Sequence, residues 1–149
     1  LFRSALLHFE DFTLGRVFDC GTYALTKEEI FEFAREFDPQ PHHLNEEAAS
    51  KSMLKGLSAS GWQVCAIAMR LLADGILNKA ANRGGVGAPE GRWMKPARPG
   101  DTLHMEAEVK EAKASGSKPF GFVTLECRVF NAHEQIAMIA MTPIIARRG

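Results

Sequence analysis

The hydrophobic positions of this chain divide it into a mostly helical first half and an extended second half. Between residues 27 and 37, apolar residues recur every three or four positions, which predicts an amphipathic helix. Thr26, with Glu29 three residues later, forms the pattern of a capping box and indicates where this helix begins. The stretch from Arg16 to Ala24 is rich in β-branched and aromatic residues, which favours a strand. The apolar positions of the helix are Ile30, Phe31, Phe33, Ala34 and Phe37.

Two further helices are predicted before residue 80. Asn45 can cap a short helix over residues 46–49. Residues 62–77 are apolar on nearly every face, which is typical of a helix that is buried all round. This segment is short for a membrane span, and it is interrupted by Gln63, Arg70 and Asp74.

The second half shows the period of two that is typical of strands. Residues 102–110 and 120–130 alternate apolar and polar side chains, whereas residues 136–145 are nearly all apolar, as in a central strand. Pro143 indicates an edge or bulge near the end of that strand. The remaining segments are predicted to be a glycine-rich loop at 82–90, a short strand at 92–94, and turns at 112–119 and 131–134.

These elements predict one α+β domain over residues 1–149. A run of antiparallel strands in hairpin connection and a single long buried helix pack most simply when the sheet curls around the helix. A chain of 149 residues is long enough to enclose one such core.

The amino-acid composition indicates which classes of partner and which cellular compartment to expect. Eighteen basic residues balance eighteen acidic ones, which argues against nucleic acid as a partner and leaves little charge repulsion between copies. The three cysteines form no CxxC pair, which favours reduced thiols in the cytoplasm over a disulfide frame or a zinc site. We expect no metal, because His42 and His43 lack any accompanying ligand motif, and we recognise no signal peptide or membrane segment.

The chemistry concentrates in the segment from Phe37 to Asn45. Asp38 and His43 stand here between two predicted helices, and two prolines stiffen the chain between them. Such a loop can aim an acid and a base at one point. The negative end of the helix dipole, together with partial burial, is expected to raise the pKa of Asp38. The alternative is a helix stop followed by surface histidines, and the residue types by themselves favour neither interpretation.

A second candidate site is the start of the long helix, at Ser60, Gly61 and Trp62. The unpaired amides and the positive dipole end of a helix N-terminus suit a developing oxyanion. The alternative is an ordinary capped helix. A nucleophilic role for Ser60 is weak, because Ser58 stands where a GxSxG motif needs glycine.

Four segments together resemble the MaoC-like dehydratase family, which includes the (R)-specific enoyl-CoA hydratases. The similarity covers nearly the whole chain. It is carried by Phe9-Glu10-Asp11-Phe12, by Phe37-Asp38-Pro39-Gln40-Pro41-His42-His43-Leu44-Asn45-Glu46-Glu47-Ala48-Ala49, by Ala59-Ser60-Gly61-Trp62, and by Arg92-Trp93-Met94-Lys95-Pro96-Ala97-Arg98-Pro99-Gly100-Asp101-Thr102-Leu103.

The resemblance implies a hot-dog fold and a homodimer with joined sheets that binds acyl thioesters between its subunits. It also implies a lyase that adds water across the C2–C3 double bond of an enoyl thioester without a cofactor. Asp38 and His43 match the catalytic pair, and either can take the proton from water. Gly61 matches the glycine whose N–H polarises the thioester carbonyl, with Ser60 and Trp62 beside it.

The chain departs from the better-studied hydratases at Gln40, Ser60 and Met69, where those enzymes have Asn, often have His, and in some members have Ser. Two other functions stay open: a hot-dog acyl-CoA thioesterase and a non-catalytic module that binds acyl thioesters. The acyl group can be carried by CoA or by a carrier protein. The basic residues that can meet CoA phosphates are Arg83, Arg92, Lys95 and Arg98.

Overall fold

The helices begin at the capping residues that the sequence indicates. In the computed structural model, which describes residues 5–149, the Thr26 hydroxyl accepts the Glu29 N–H at 3.2 Å and the Asn45 side chain accepts the Ala48 N–H at 2.9 Å. The helices are α1 (Lys27–Phe37), α2 (Pro41–Leu44), α3 (Glu46–Ser50) and α4 (Gly61–Gly75), with 3₁₀ turns at Phe9–Asp11 and Leu77–Lys79.

Seven strands form one antiparallel sheet. Five of them follow the order β1-β4-β5-β6-β3, and β7 pairs with both β5 and β2. The strand β3 therefore lies at one end of the main path. The strands are β1 (Val17–Ala24), β2 (Asn82–Gly85), β3 (Glu90–Trp93), β4 (Thr102–Ala114), β5 (Phe120–Phe130), β6 (Gln135–Met141) and β7 (Pro143–Ala146).

The core lies between α4 and the inner face of the sheet. Alternate residues of β4 and β5 are fully buried, and they meet the buried side of α4. This arrangement confirms the predicted α+β hot-dog fold, with a long helix wrapped by an antiparallel sheet. The residues of α4 that enter the core are Val64, Ile67, Ala68, Leu71 and Leu72.

The prediction that α4 is buried on every face is wrong for the single chain. Trp62 is 64% exposed and Met69 is 45% exposed, because the sheet covers only one side of the helix. One apolar face of α4 is therefore open. Among residues 5–149, no helix combines the length and apolarity needed to cross a membrane.

Several strand boundaries also differ from the predictions, and the short strand predicted at 92–94 is Glu90–Trp93 in the structure. The glycine-rich segment is not all loop, because Asn82–Gly85 pairs with β7. The predicted strand at 136–145 is divided at Thr142, after which β7 leaves β6 and joins β2 and β5. Residues 111–114 continue β4 beyond its predicted end at residue 110, since backbone pairing with β5 does not depend on side-chain alternation.

Candidate active site

The segment after α1 turns His43 into the protein. Asp38 is the C-terminal cap of α1, and Gln40 is extended (φ −93°, ψ 144°), as the following proline requires. Pro41 then starts the short helix α2, a position that suits proline because its missing N–H would have no partner there. The expected loop is thus partly helical. This turn buries His43 and leaves His42 half-buried beside it, with ring centroids 4.2 Å apart.

Asp38 and His43 are brought together as predicted. His43 Nε2 lies 3.5 Å from Asp38 Oδ2, and the two side chains are 7% and 15% exposed. This separation is longer than an ordinary hydrogen bond. His43 Nε2 and Asp38 Oδ2 can therefore each form a hydrogen bond to a third group placed between them.

The segment from Ser58 to Gly61 holds both members of this pair. His43 Nδ1 lies 2.8 Å from the Ser58 carbonyl oxygen, which can only accept a hydrogen bond. Nδ1 therefore carries a proton, and Nε2 faces the Asp38 carboxylate, to which it presents a lone pair when the imidazole is neutral. The Ser60 hydroxyl donates to Asp38 Oδ2 at 2.6 Å and accepts the Trp62 N–H at 3.2 Å. Ser60 is thus both the cap of α4 and an anchor for Asp38.

The pKa of Asp38 is lowered, so the expectation of a raised pKa is wrong. Desolvation is the largest single influence and acts upward. It is outweighed by hydrogen bonds from Ser60 and Gln40 and by the nearby rings of His43 and His42. Gln40 Nε2 donates to Asp38 Oδ1 at 2.5 Å, so each carboxylate oxygen accepts one hydrogen bond. Asp38 is therefore held as a carboxylate at neutral pH.

Gly61 opens the 15-residue helix α4, and its N–H meets no acceptor among residues 5–149. The indole ring of Trp93 packs directly on its Cα. A Cβ at this position would lie 2.5 Å from the Trp93 ring, closer than real side chains approach. Glycine is required here for close approach of the ring, whereas a positive φ plays no part. A free amide at a helix N-terminus is suited to an oxyanion.

A cavity of about 340 Å³ joins these groups. Trp62 and Trp93 meet edge to face at its wall, with ring centroids 5.3 Å apart. Asp38, His43 and Gly61 all border it, so the two candidate sites of the sequence are one site. Its apolar lining includes Leu54, Val64, Pro96, Ala97, Ile136 and Ala137.

Sequence reasoning did not assign Trp93, Gln40 or the carbonyl group of Ser58 to the site. Trp93 comes from the strand β3, and nothing in its local pattern indicates that it reaches α4. Gln40 was noted only as a departure from the family, although its position two residues after Asp38 was a usable signal. The arrangement as a whole offers a carboxylate, an imidazole lone pair and an amide donor around one cavity, which suits acid–base chemistry on a carbonyl compound.

A family profile and a solved structure both match this chain. The sequence profile described as MaoC like domain matches residues 11–128. The crystal structure of a MaoC-like dehydratase from Rhodospirillum rubrum is similar, with a TM-score of 0.90 and 39% identity, over 96% of this chain and 99% of that one.

Two curated proteins are also similar to this chain in sequence. The uncharacterized protein YdeM of Bacillus subtilis (strain 168) is 31% identical over 128 residues, which is 86% of this chain and 90% of that protein. The mesaconyl-CoA hydratase of Cereibacter sphaeroides is 32% identical over 79 residues, which is 53% of this chain but only 22% of that protein.

Proposed function

The chain belongs to the family of MaoC-like domains, and from this premise we propose that it is a hydratase that reversibly adds water to the C2–C3 double bond of an enoyl thioester. The observation that carries the proposal is the pairing of Asp38 Oδ2 with His43 Nε2 at 3.5 Å. When the His43 ring is neutral, both atoms can accept hydrogen bonds, and both residues border the cavity that Gly61 also reaches. Two acceptors at this spacing can orient the two hydrogens of one water molecule.

In the proposed reaction, the thioester oxygen binds at the Gly61 N–H, and C3 of the substrate faces the oriented water. Asp38 or His43 removes a proton from water as the hydroxyl adds to C3. The electron pair of the double bond moves toward the thioester, and the amide stabilises the negative charge on oxygen. A proton then returns to C2. The product differs from the substrate by one added water molecule, without net oxidation or reduction, so the proposed reaction needs no redox cofactor.

The substrate is proposed to be an acyl-CoA or an acyl-carrier thioester. Support comes from a relative named mesaconyl-CoA hydratase and from the mainly apolar lining of the cavity. Lys95 also borders the cavity, and its ammonium group can face the acidic part of a carrier. We infer that the acyl group lies against the tryptophan pair, since this pair forms the apolar wall next to Gly61.

We further propose a homodimer. The open face of α4 carries Trp62 and Met69, and the strand β3, whose four residues are all exposed at least in part, lies at the end of the sheet path. Apolar surface of this kind favours contact with a second copy, and the balanced charge of the chain does not oppose it.

The proposal is tested by following the conjugated enoyl thioester absorbance of crotonyl-CoA in the presence of the purified protein. We expect the absorbance to fall without release of free thiol. Asp38→Asn should lower kcat/KM by a factor of about 10² to 10⁴, the usual range for loss of a general acid or base. His43→Gln should show a loss of the same order.

Two matched controls use residues outside the cavity. Asp74→Asn removes a carboxylate from an exposed ion pair on α4, and His133→Gln removes an imidazole from an exposed turn. Both should keep wild-type activity. Full hydration by Asp38→Asn would contradict the proposed mechanism. Release of free thiol would instead identify a thioesterase, and tight binding of the CoA ester without turnover would identify a binding module.

A further inference from the structure

Arg98 directs its guanidinium group to the backbone of the loop at residues 54–57. Nη1 donates to the carbonyl oxygens of Gly56 at 2.8 Å and Leu57 at 3.2 Å, and Nη2 donates to the carbonyl oxygen of Leu54. The planar guanidinium, with five N–H donors, suits several acceptors at once. Arg98 thus makes three hydrogen bonds to backbone carbonyls within the chain.

The loop that Arg98 binds has an unusual backbone. Lys55 has a φ of 57° and Gly56 a φ of 154°, so two consecutive residues lie at positive φ. A Cβ at Gly56 would lie 3.2 Å from Arg98 Nη1, so glycine also leaves room for the guanidinium. Such a conformation costs free energy and persists only when surrounding contacts hold it. The three hydrogen bonds from Arg98 are contacts of this kind.

Arg98 is itself fixed by the turn that follows it. Its backbone N–H donates to Asp101 Oδ2 at 2.8 Å, and the Asp101 N–H donates back to the Arg98 carbonyl at 3.1 Å. One residue earlier, the Ala97 carbonyl accepts the Ala59 N–H at 2.9 Å. The segment before α4 is therefore tied at two points to residues 97–98, on either side of Ser58.

Ser58 is the residue whose carbonyl fixes the His43 ring. We propose that Arg98 is a positioning residue of the active site. It holds the loop at 54–57 so that the Ser58 carbonyl binds His43 Nδ1–H and leaves Nε2 free toward Asp38. The effect on turnover rests on the proposed hydratase function, whereas the effect on the His43 tautomer does not.

The test compares Arg98→Met, Arg98→Lys and Gly56→Ala with Arg70→Met, which removes an exposed arginine that is paired with Asp74. All are assayed on crotonyl-CoA below their unfolding temperatures. The His43 tautomer is read from imidazole ¹⁵N signals. We expect Arg98→Met and Gly56→Ala to lower kcat about 10- to 100-fold, with KM changed less than about twofold, because small displacements of reacting groups are costly.

The ¹⁵N signals should change in parallel with kcat. Wild type and Arg70→Met should show one tautomer with Nδ1 protonated, while Arg98→Met and Gly56→Ala should show a mixture. Arg98→Lys keeps the positive charge but loses the planar guanidinium group, so its kcat and its ¹⁵N signals should lie between those of wild type and Arg98→Met. If Arg98→Met does not fold, Gly56→Ala and Arg98→Lys carry the comparison.

Unchanged His43 signals in folded Arg98→Met would overturn the proposal, whether kcat is retained or lost. A rise in KM with unchanged signals would also overturn it and would indicate a substrate contact. If the wild-type protein hydrates no enoyl thioester, the proposed function fails, but the ¹⁵N signals still decide the role of Arg98.

Discussion

At the scale of single residues, a few hydrogen bonds hold the two reactive side chains of the site. The Asp38 carboxylate accepts one hydrogen bond on each oxygen, from Ser60 and Gln40. His43 is fixed in one tautomer by a single carbonyl. The two donors favour the carboxylate form of Asp38, and the Ser58 carbonyl holds the His43 ring with Nε2 toward that carboxylate.

The lowered pKa of Asp38 predicts a pH dependence of stability. Because the folded protein favours the carboxylate, its contribution is complete above the ordinary pKa of 3.8 and is lost as the pH falls through the lower folded value. The difference in free energy of unfolding between wild type and Asp38→Asn should therefore decrease as the pH falls below 3.8. Urea unfolding from pH 3 to pH 7 measures it. A difference that increases on acidification would indicate a raised pKa.

Ser60→Ala should destabilise the protein and reduce its activity. Loss of a serine N-cap costs about 1 kcal/mol, and loss of the hydrogen bond to Asp38 adds a similar amount. The midpoint of denaturant unfolding measures the change. Ser50→Ala, which removes a serine hydroxyl on the exposed part of α3, should stay close to wild type. An unchanged midpoint for Ser60→Ala would show that the hydroxyl does not support the fold.

At the scale of elements, the site lies where the end of α1, the short helix α2 and the start of α4 come close together. Asp38 lies at the C-terminus of α1, His43 in the single turn of α2, and Gly61 at the N-terminus of α4. The strand β3 adds Trp93, whose ring covers the first residue of α4. The helix ends supply unpaired backbone groups, and the strand closes the site with an aromatic wall.

The contact between β3 and α4 predicts a double-mutant effect. In the wild-type background, Gly61→Ala should destabilise the protein by about 1–3 kcal/mol, because the new Cβ collides with the Trp93 ring. In a Trp93→Ala background the collision is absent, and alanine is the better helix former, so the same change should be neutral or stabilising. Unfolding free energies of the four proteins measure the coupling. Equal effects of Gly61→Ala in both backgrounds would exclude the contact.

At the scale of the whole molecule, the sheet leaves one side of its central helix uncovered. Trp62 and Met69 lie on that side, and Trp93 and Met94 are exposed near the end of the sheet path. A partner subunit on this side would cover apolar surface and narrow the entrance to the cavity that Trp62 and Trp93 line. Assembly and catalysis are therefore linked in the proposed homodimer.

The dimer is tested by sedimentation of the wild-type protein and of Met69→Glu. The wild type should sediment at twice the mass of the 16.4 kDa chain. A charge on the open face of α4 should shift the protein toward the monomer, because an unpaired carboxylate is costly to bury. Met53→Glu changes another methionine, one that is 97% exposed and lies off this face, and should leave the mass unchanged. A monomeric wild type would refute the proposal.

Features that depend on neighbours in sequence could be predicted from the sequence. The 3.6-residue period of α1, the two-residue period of β4 and β5, and the caps at Thr26 and Asn45 act over a few residues, so these elements and the α+β class followed from them. The extended conformation of Gln40 also followed, because the effect of proline on the residue before it is local.

Tertiary structure decided the other features of the site, because these features depend on contacts between residues far apart in the chain. Asp38 lies 22 positions from Ser60, and the hydrogen bond between them helps to reverse the expected direction of the Asp38 pKa shift. The ring of Trp93 on Gly61 and the hydrogen bonds from Arg98 to residues 54–57 likewise form only when the sheet closes around α4. The sequence by itself determined which groups could react, and the packing of distant segments determined their distances, protonation and support.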